Sequence, residues 1–68
     1  MRIRYDPKAD AMYIRIASAP VARTKELDKN TIIDFDSSGN VVGIELLFVR
    51  ERNPGLLREL KFENLVSA

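Results

Sequence analysis

Residues 31–48, TIIDFDSSGNVVGIELLF, decide the fold that this chain is predicted to adopt. β-Branched and aromatic residues, which favour strands, are concentrated in residues 31–36 and again in residues 41–48. The Asp-Ser-Ser-Gly-Asn between them is typical of a type I turn followed by a left-handed glycine, here Gly39. Such a turn with a glycine bulge is a common hairpin connection, so the stretch predicts a β-hairpin.

Two registers of this hairpin satisfy different features of the sequence. The turn chemistry pairs Asp36 with Asn40 and therefore Ile33 with Gly43, which places apolar residues on both faces of the sheet. A register shifted by one residue puts Ile33 on the same face as Ile44 and leaves the acidic side chains wet on the other face. We expect the register set by the turn, which requires a covering layer on each face.

Length and composition exclude several classes of site. The 68 residues predict one small domain, residues 1–68. The chain has no cysteine, which excludes disulfides and thiolate metal sites, and no histidine, the commonest metal ligand and general base. Because a core this small rarely supplies more than about 3–5 kcal/mol, we expect a homo-oligomer.

Charge and hydropathy argue against two kinds of partner. Eleven basic and ten acidic residues give a net charge of +1, which does not attract nucleic acid or membranes strongly. No apolar run approaches the ~20 residues that span a bilayer, and no signal-peptide pattern opens the chain. These features predict a cytoplasmic protein of bacterial type.

Three further strands are predicted before the hairpin. Residues 1–5 and 11–17 alternate apolar and polar side chains, as half-buried strands do. The charged residues 21–27 are typical of an edge strand that resists pairing with other chains. Connected in chain order, the five strands form a mostly antiparallel meander over residues 1–48.

One short C-terminal helix completes an α+β fold. Asn53-Pro54 has the composition of a helix N-terminus, and the leucines that follow it recur at helical spacing. This pattern predicts a helix within residues 53–63 that covers one face of the sheet. Residues 62–68 either extend the helix, form a final strand or fray.

Two motifs resemble a known family. Residues 5–14, YDPKADAMYI, are similar to the opening motif of the small bacterial YuzE-like proteins, a family whose domain has no known function. Residues 21–47 resemble that family's second half, with an acidic strand, a D-x-x-G turn and V-V-G-I-E. The positions that carry the resemblance, and that it implies to be structural, are Tyr5, Asp6, Ala9, Asp10, Ala11, Tyr13, Gly39, Val42 and Gly43.

The resemblance, which covers residues 1–48, implies a fold more than an activity. It carries over no enzymatic activity. Some family members are encoded beside small toxin-like proteins, which implies a role as an antitoxin-like partner of a small toxin.

Carboxylates are the first candidates for a functional site. Asp6 and Asp10 flank a turn and would offer oxygen ligands to a divalent cation. We favour the alternative that Asp6 caps the turn and Asp10 accepts hydrogen bonds from nearby backbone amides, and so predict no metal and no cofactor. A carboxylate pair for acid–base catalysis, as in glycosidases, would come from the remaining candidates. These are Asp28, Asp34, Asp36 and Glu45.

No histidine or cysteine would assist such a pair, and the chain is too short to enclose much substrate. We therefore interpret these four carboxylates as solvated or turn-capping, assign no catalytic residue and favour a protein without enzymatic activity.

Basic residues and one glycine are the other candidates. If the basic residues of the first three strands share a face, they form a stripe for nucleic acid or an acidic partner, with Tyr5 and Tyr13 for stacking; otherwise they form a solvated face, which we favour. The stripe comprises Arg2, Arg4, Arg15, Arg23 and Lys25. Gly43 interrupts a strand, which indicates an overlying ring, from Phe35 or Tyr13, or a subunit contact.

The function that we predict is a non-enzymatic interaction module, a homo-oligomer with a small protein partner. The alternatives are a nucleic-acid-binding accessory protein and, after it, a carboxylate-based metal binder or enzyme.

Overall fold

The central strand of the sheet is the last strand in the described part of the chain. The computed structural model describes residues 1–56 and 58–63. Its strands are β1 (Arg2–Asp6), β2 (Ala11–Arg15), β3 (Arg23–Asp28), β4 (Thr31–Phe35) and β5 (Val41–Leu47). They form one sheet in the order β1-β2-β5-β4-β3, with every neighbouring pair antiparallel. Together with one short helix near the C-terminus, this sheet confirms the α+β class.

The strand order departs from the expected meander in one connection. β5 lies between β2 and β4, so the link from β2 to β3 passes to the far edge of the sheet. The composition of the two strands explains this, because β5 reads VVGIELL whereas β3 reads RTKELD and is exposed along its whole length. A central strand has neighbours on both sides, and β3 is the charged edge strand that its sequence predicts.

A β-bulge reconciles the two registers of the hairpin. At the turn, the Asp36 amide donates to the Asn40 carbonyl at 2.9 Å, as the turn chemistry requires. The register shifts beside Phe35, and from there Ile33 pairs with Ile44. The expected pairing of Ile33 with Gly43 is therefore wrong, because one extra residue is absorbed between the turn and the strands.

The register sorts the side chains onto two unlike faces, because directly opposed residues of antiparallel strands point to the same side. We call them the apolar face and the polar face. The apolar face comprises Ile3, Tyr5, Met12, Ile14, Thr31, Ile33, Phe35, Val42, Ile44 and Leu46, with Arg23 and Lys25 at its β3 margin. The polar face comprises Arg2, Arg4, Asp6, Ala11, Tyr13, Arg15, Thr24, Glu26, Ile32, Asp34, Gly43, Glu45 and Leu47. The expectation of two apolar faces is therefore wrong.

The helix begins earlier than expected. Helix α1 is Val49–Arg52, and Asn53 ends it instead of starting a helix. The prediction of a helix within residues 53–63 is wrong for the described part of that segment, which forms turns and irregular chain. Pro54 disfavours the helical conformation at the residue before it, and a short helix without packing is marginal in water. Residues 64–68, for which three alternatives were open, lie outside the described residues.

No helix in the described residues has the length and apolar character that a membrane crossing requires.

Candidate functional site

One line of isoleucines crosses the apolar face from strand to strand. Ile3, Ile14, Ile44 and Ile33 are consecutive cross-strand partners on β1, β2, β5 and β4. We call these four residues the isoleucine row. The side chain of Ile3 is 47% exposed and the other three are half-buried. A sheet that is apolar on one face normally packs that face against another layer, so the isoleucine row marks a surface suited to contact.

The buried side chains lie near the ends of the sheet. Met12 and Val49 are buried where β2 begins and α1 follows β5, and Val42 is buried at the hairpin end. Between these ends, the side chains of Ile14, Ile33 and Ile44 on the apolar face are half-buried. Among the described residues of the apolar face, these three isoleucines are therefore less buried than Met12 and Val42, which lie toward the ends of the central strands.

Two basic residues border the apolar face along β3. Arg23 lies opposite Phe35, and its guanidinium sits 4.8 Å from the centre of the phenyl ring. Lys25 lies opposite Ile33, at the end of the isoleucine row. In this cation–π contact, the Arg23 side chain covers apolar surface of the Phe35 ring while its charged end stays in water. The middle of the apolar face carries no charge.

The polar face is organised around a tyrosine that lies over a glycine. The Tyr13 hydroxyl donates to Asp34 Oδ2 at 2.7 Å, and the Thr24 hydroxyl donates to Asp34 Oδ1 at 2.7 Å. Gly43 lies between the strands of Tyr13 and Asp34, and a Cβ atom there would be 2.6 Å from Tyr13 Cζ. An overlying aromatic ring is thus confirmed as the local reason for Gly43, and the ring is that of Tyr13, not Phe35.

The Tyr13–Asp34 contact predicts an abnormal titration. The hydrogen bond to Asp34, together with burial, raises the pKa of Tyr13 above its ordinary value, although Arg15 acts in the opposite direction. Tyr5→Phe leaves Tyr13 as the only tyrosine, since the chain has two. In that background we expect phenolate absorbance to give a pKa above 10.0, and Asp34→Asn to lower it. Glu45→Gln, which changes an adjacent carboxylate that does not bond Tyr13, is the control. An unchanged pKa in Asp34→Asn would contradict the assignment.

Asp10 joins the first turn to the start of α1. Its carboxylate accepts hydrogen bonds from the amides of Arg50 at 2.7 Å and Glu51 at 3.1 Å, and from the Tyr5 hydroxyl at 2.8 Å. Its carbonyl accepts the Val49 amide at 3.1 Å. We call this set of contacts the Asp10 clasp. It supplies acceptors for amides that a helix N-terminus leaves without intrahelical partners.

The Asp10 clasp also sets the charge state of its carboxylate. Desolvation alone would raise the pKa of Asp10, but the hydrogen bonds from Arg50, Tyr5 and Glu51 outweigh it and lower the pKa below its ordinary value. Burial and the bond to Asp10 raise the pKa of Tyr5. Asp10 and Phe48 both adopt left-handed backbone conformations, at φ 51° and 57°, where the first turn meets the start of α1. Asp10 is therefore held ionised as a capping acceptor.

The remaining motif residues also take structural positions. Asp6 accepts the amides of Lys8 and Ala9 at 3.0 and 3.4 Å, which confirms its predicted role in the turn. Gly39 adopts φ 85° in the hairpin turn. Ala11 is buried at 9% exposure and Val42 at 1%. The expectation that Asp10 bonds amides near it in sequence is corrected, because two of its partners lie 40 and 41 residues away.

Of the four candidate catalytic carboxylates, two lie in separate turns, and Asp34 and Glu45 lie on neighbouring strands of the polar face. Asp28 accepts the Asn30 amide in the turn between β3 and β4, and Asp36 accepts the Ser38 and Asn40 amides in the hairpin turn. The Asn40 amide bond is the main reason that the pKa of Asp36 is lowered, with burial opposing it. Asp34 is engaged by Tyr13 and Thr24. In residues 1–56 and 58–63 no group of three or more acidic residues is placed to hold a metal ion.

An open depression lies beside Glu45 on the polar face. Its volume is about 430 Å³, and Arg4, Tyr13, Glu45 and Ala11 contribute to its lining. Arg4, Tyr13 and Glu45 are consecutive cross-strand partners, so opposite charges stand on either side of the tyrosine ring. The depression is an open feature of the surface.

The five basic residues do not share one face. Arg2, Arg4 and Arg15 lie on the polar face, where Arg2 and Arg15 are direct cross-strand partners. Arg23 and Lys25 lie at the margin of the apolar face. Arg15 also donates to the Ala19 carbonyl at 2.6 Å. The condition for a five-residue basic stripe is thus not met, and the basic patch of the polar face has three members.

A comparison with known families now adds to this geometry. A family model described as "Protein of unknown function (DUF2283)" matches residues 2–50. The chain belongs to this family. The part that matches DUF2283 contains all five strands, Asp10 and the Arg50 amide that Asp10 binds, so it includes the sheet and most of the Asp10 clasp. No curated protein and no solved structure matches the chain.

The predicted kinship with a small domain of unknown function is confirmed at the level of DUF2283, while the YuzE-like label stays a prediction. Sequence reasoning missed Val49, Phe48 and Thr24 as members of these contacts. No local pattern marks Val49 or Thr24, because their partners Asp10 and Asp34 lie elsewhere in the chain, and nothing in the sequence predicts the left-handed conformation of Phe48.

Proposed function

We propose that the protein is a non-enzymatic interaction module that presents the apolar face of its sheet to another protein chain. The isoleucine row, in which Ile3 is exposed and the other three side chains are half-buried, is the observation that carries this proposal. Contiguous apolar surface of this kind marks interaction sites on folded proteins, whereas single exposed apolar residues do not. The basic residues at the β3 margin add a polar rim, as protein interfaces commonly have.

The carboxylates support binding more than acid–base chemistry. Asp6, Asp10, Asp28 and Asp36 each accept backbone amides, and Asp34 accepts two hydroxyl groups. A general base needs a free acceptor within reach of a substrate proton. Since these five groups already serve the fold, the apolar face is the better candidate for the working surface.

Two kinds of partner fit the proposal. A homo-oligomer would give a small chain the additional buried surface that its own core lacks. A small toxin-like protein, for which this chain would act as a neutralising partner, is supported by the resemblance of residues 5–14 and 21–47 to YuzE-like proteins. Both partners are consistent with a cytoplasmic protein, which is what the sequence predicts.

The toxin assignment is tested with the small protein encoded beside the gene. We expect that protein to arrest growth when it is expressed alone. Co-expression of the wild-type chain should relieve the arrest, and the two proteins should co-purify. Ile33→Gln should lose both effects, because it places an amide in the isoleucine row. Ile32→Gln, the same change at the next residue on the opposite face, should keep both effects.

Two results would contradict this assignment. If the chain neither changes growth nor co-purifies with the neighbouring protein, that protein is not its partner. Binding of labelled nucleic acid that weakens as salt rises would favour the alternative, in which the three arginines of the polar face contact phosphates.

A further inference from the structure

The accessible surface of the chain is larger than a compact monomer of its mass needs. The chain of 7.7 kDa exposes 5551 Å², whereas a folded monomer of that mass exposes about 4,300 Å². The segment after α1 accounts for part of the excess, since Leu60 and Phe62 are 56% and 88% exposed. The excess belongs to the whole chain and is not a measure of the apolar face. A stable protein interface takes about 800 Å² from each partner, and the apolar face offers exposed or half-buried apolar side chains from β1, β2, β5 and β4 toward such an area.

The isoleucine row is arranged so that it can pack against a copy of itself. A two-fold axis between Ile14 and Ile44 lays Ile14 over Ile44 of the second copy, and Ile3 over Ile33 of the second copy. Lys25, the cross-strand partner of Ile33 on β3, then falls beyond β1 of the second copy and stays in water. The arrangement therefore buries four branched apolar side chains from each chain and no charge.

We infer that the apolar face is covered by a second copy of this chain, in a symmetric dimer whose two sheets pack face to face. The inference rests on the proposed function and names the occupant of the same surface. Two apolar sheet faces pack about 10 Å apart, with their side chains interdigitated into a shared core. Each chain then gains the second layer that a one-sided sheet requires, and the two polar faces point outward.

Pairing through the sheet edge is the main structural alternative for a dimer. The outer edge of β1 reads RIRYD, and a two-fold axis at Arg4 would set two arginines directly opposite each other. Like charges at opposed positions destabilise a strand pair. Edge pairing would also leave the isoleucine row as exposed as it is in the monomer, so the face-to-face arrangement explains more of the structure.

Sedimentation equilibrium across micromolar concentrations tests the dimer. We expect the wild-type mass to be twice 7.7 kDa. Ile33→Gln should raise the dissociation constant on the order of 100-fold, because each dimer loses two buried isoleucines. Ile32→Gln on the polar face should leave the dissociation constant unchanged. Ile3→Gln on the edge strand, where the side chain is already 47% exposed, tests the same face with little risk to the monomer fold.

Cross-linking gives a second measurement that tolerates conservative changes. The chain has no cysteine, so Ile44→Cys introduces one thiol near the predicted two-fold axis. A short bismaleimide should link two Ile44→Cys chains efficiently and two Ile32→Cys chains poorly. Circular dichroism checks whether each variant keeps its strands.

Three results would overturn the inference: a monomeric wild type, a dimer that Ile3→Gln and Ile33→Gln leave intact, or equal cross-linking at the two cysteine positions. A monomer that still captures the neighbouring small protein through Ile33 would overturn the dimer alone and leave the proposed function standing.

Discussion

Gly43→Ala is expected to lower the free energy of unfolding by about 1–3 kcal/mol, as overpacking in a filled site does. The new Cβ atom would collide with the Tyr13 hydroxyl and lie 2.6 Å from Cζ of the same ring. The ring has little freedom to move away, because its hydroxyl is bonded to Asp34 at 2.7 Å. Urea denaturation measures the loss, and the midpoint should fall without a change in slope.

The other two glycines are internal controls for this prediction. A Cβ atom added at Gly55 would meet no neighbouring atom within 4 Å, so Gly55→Ala should leave stability unchanged or raise it slightly. Gly39 also has open space but adopts φ 85°, so Gly39→Ala tests backbone strain without a collision. In a Tyr13→Leu background, the loss caused by Gly43→Ala should largely disappear. An equal loss in both backgrounds would show that the ring is not the cause.

Asp10→Ala is expected to detach α1 from the sheet and to lower the melting temperature by roughly 5–10 °C. The change removes the acceptor of two α1 amides and of the Tyr5 hydroxyl. It also places alanine at φ 51°, a conformation that asparagine and aspartate tolerate better. Asp10→Asn should therefore lose less. Asp6→Ala, which removes contacts only within its own turn, is the matched control.

The Asp10 clasp also predicts how stability changes in acid. The pKa of Asp10 is lower in the folded chain than its ordinary value of 3.8. The folded state therefore binds fewer protons than the unfolded state in this range, so the stabilisation is present above pH 3.8 and is lost as pH falls through the folded pKa. Asp10→Asn should flatten the acid limb of the stability curve. Part of the acid slope should remain in Asp10→Asn, because the pKa of Asp36 is also lowered in the folded chain. An identical acid limb in wild type and Asp10→Asn would contradict the clasp.

The hairpin shows what the sequence can and cannot establish about this sheet. The turn around Gly39 was predicted from its own residues, and the pairing of Ile33 with Ile44 follows the apolar pattern of the strands. These two signals conflict if the register is uniform. The structure satisfies both through a bulge, and nothing local in the sequence announces that one extra residue will be absorbed.

The helix and the strand order were missed for a different reason. Asn53-Pro54 has the composition of a helix start, but α1 starts earlier, at Val49, where Asp10, about 40 residues earlier in the chain, binds the amides of its first turn. The meander followed from the rule that consecutive strands pair, whereas the apolar content of β5 makes it the better central strand. Both errors concern partners that are distant in sequence, where local propensity carries no information.

The proposed interaction surface was predicted only in part. The sequence suggested that a sheet surface acts on another macromolecule, and Tyr13 was one of two rings proposed to lie over Gly43. The isoleucine row required the strand order and the register together, since its members lie on four strands. Arg2 and Arg23 appeared equivalent in the sequence, and only the pairing placed them on opposite faces.

The insertion of β5 between β2 and β4 has a consequence for synthesis of the protein. As the nascent chain leaves the ribosome, the hairpin of β1 and β2 is complete long before the strand that it pairs with, and β3 and β4 follow as a second incomplete hairpin. Two-stranded hairpins are marginally stable in water by themselves. Neither hairpin is therefore expected to be stable before residues 41–47 emerge and pair with both β2 and β4. The sheet should form in one late, cooperative step of translation.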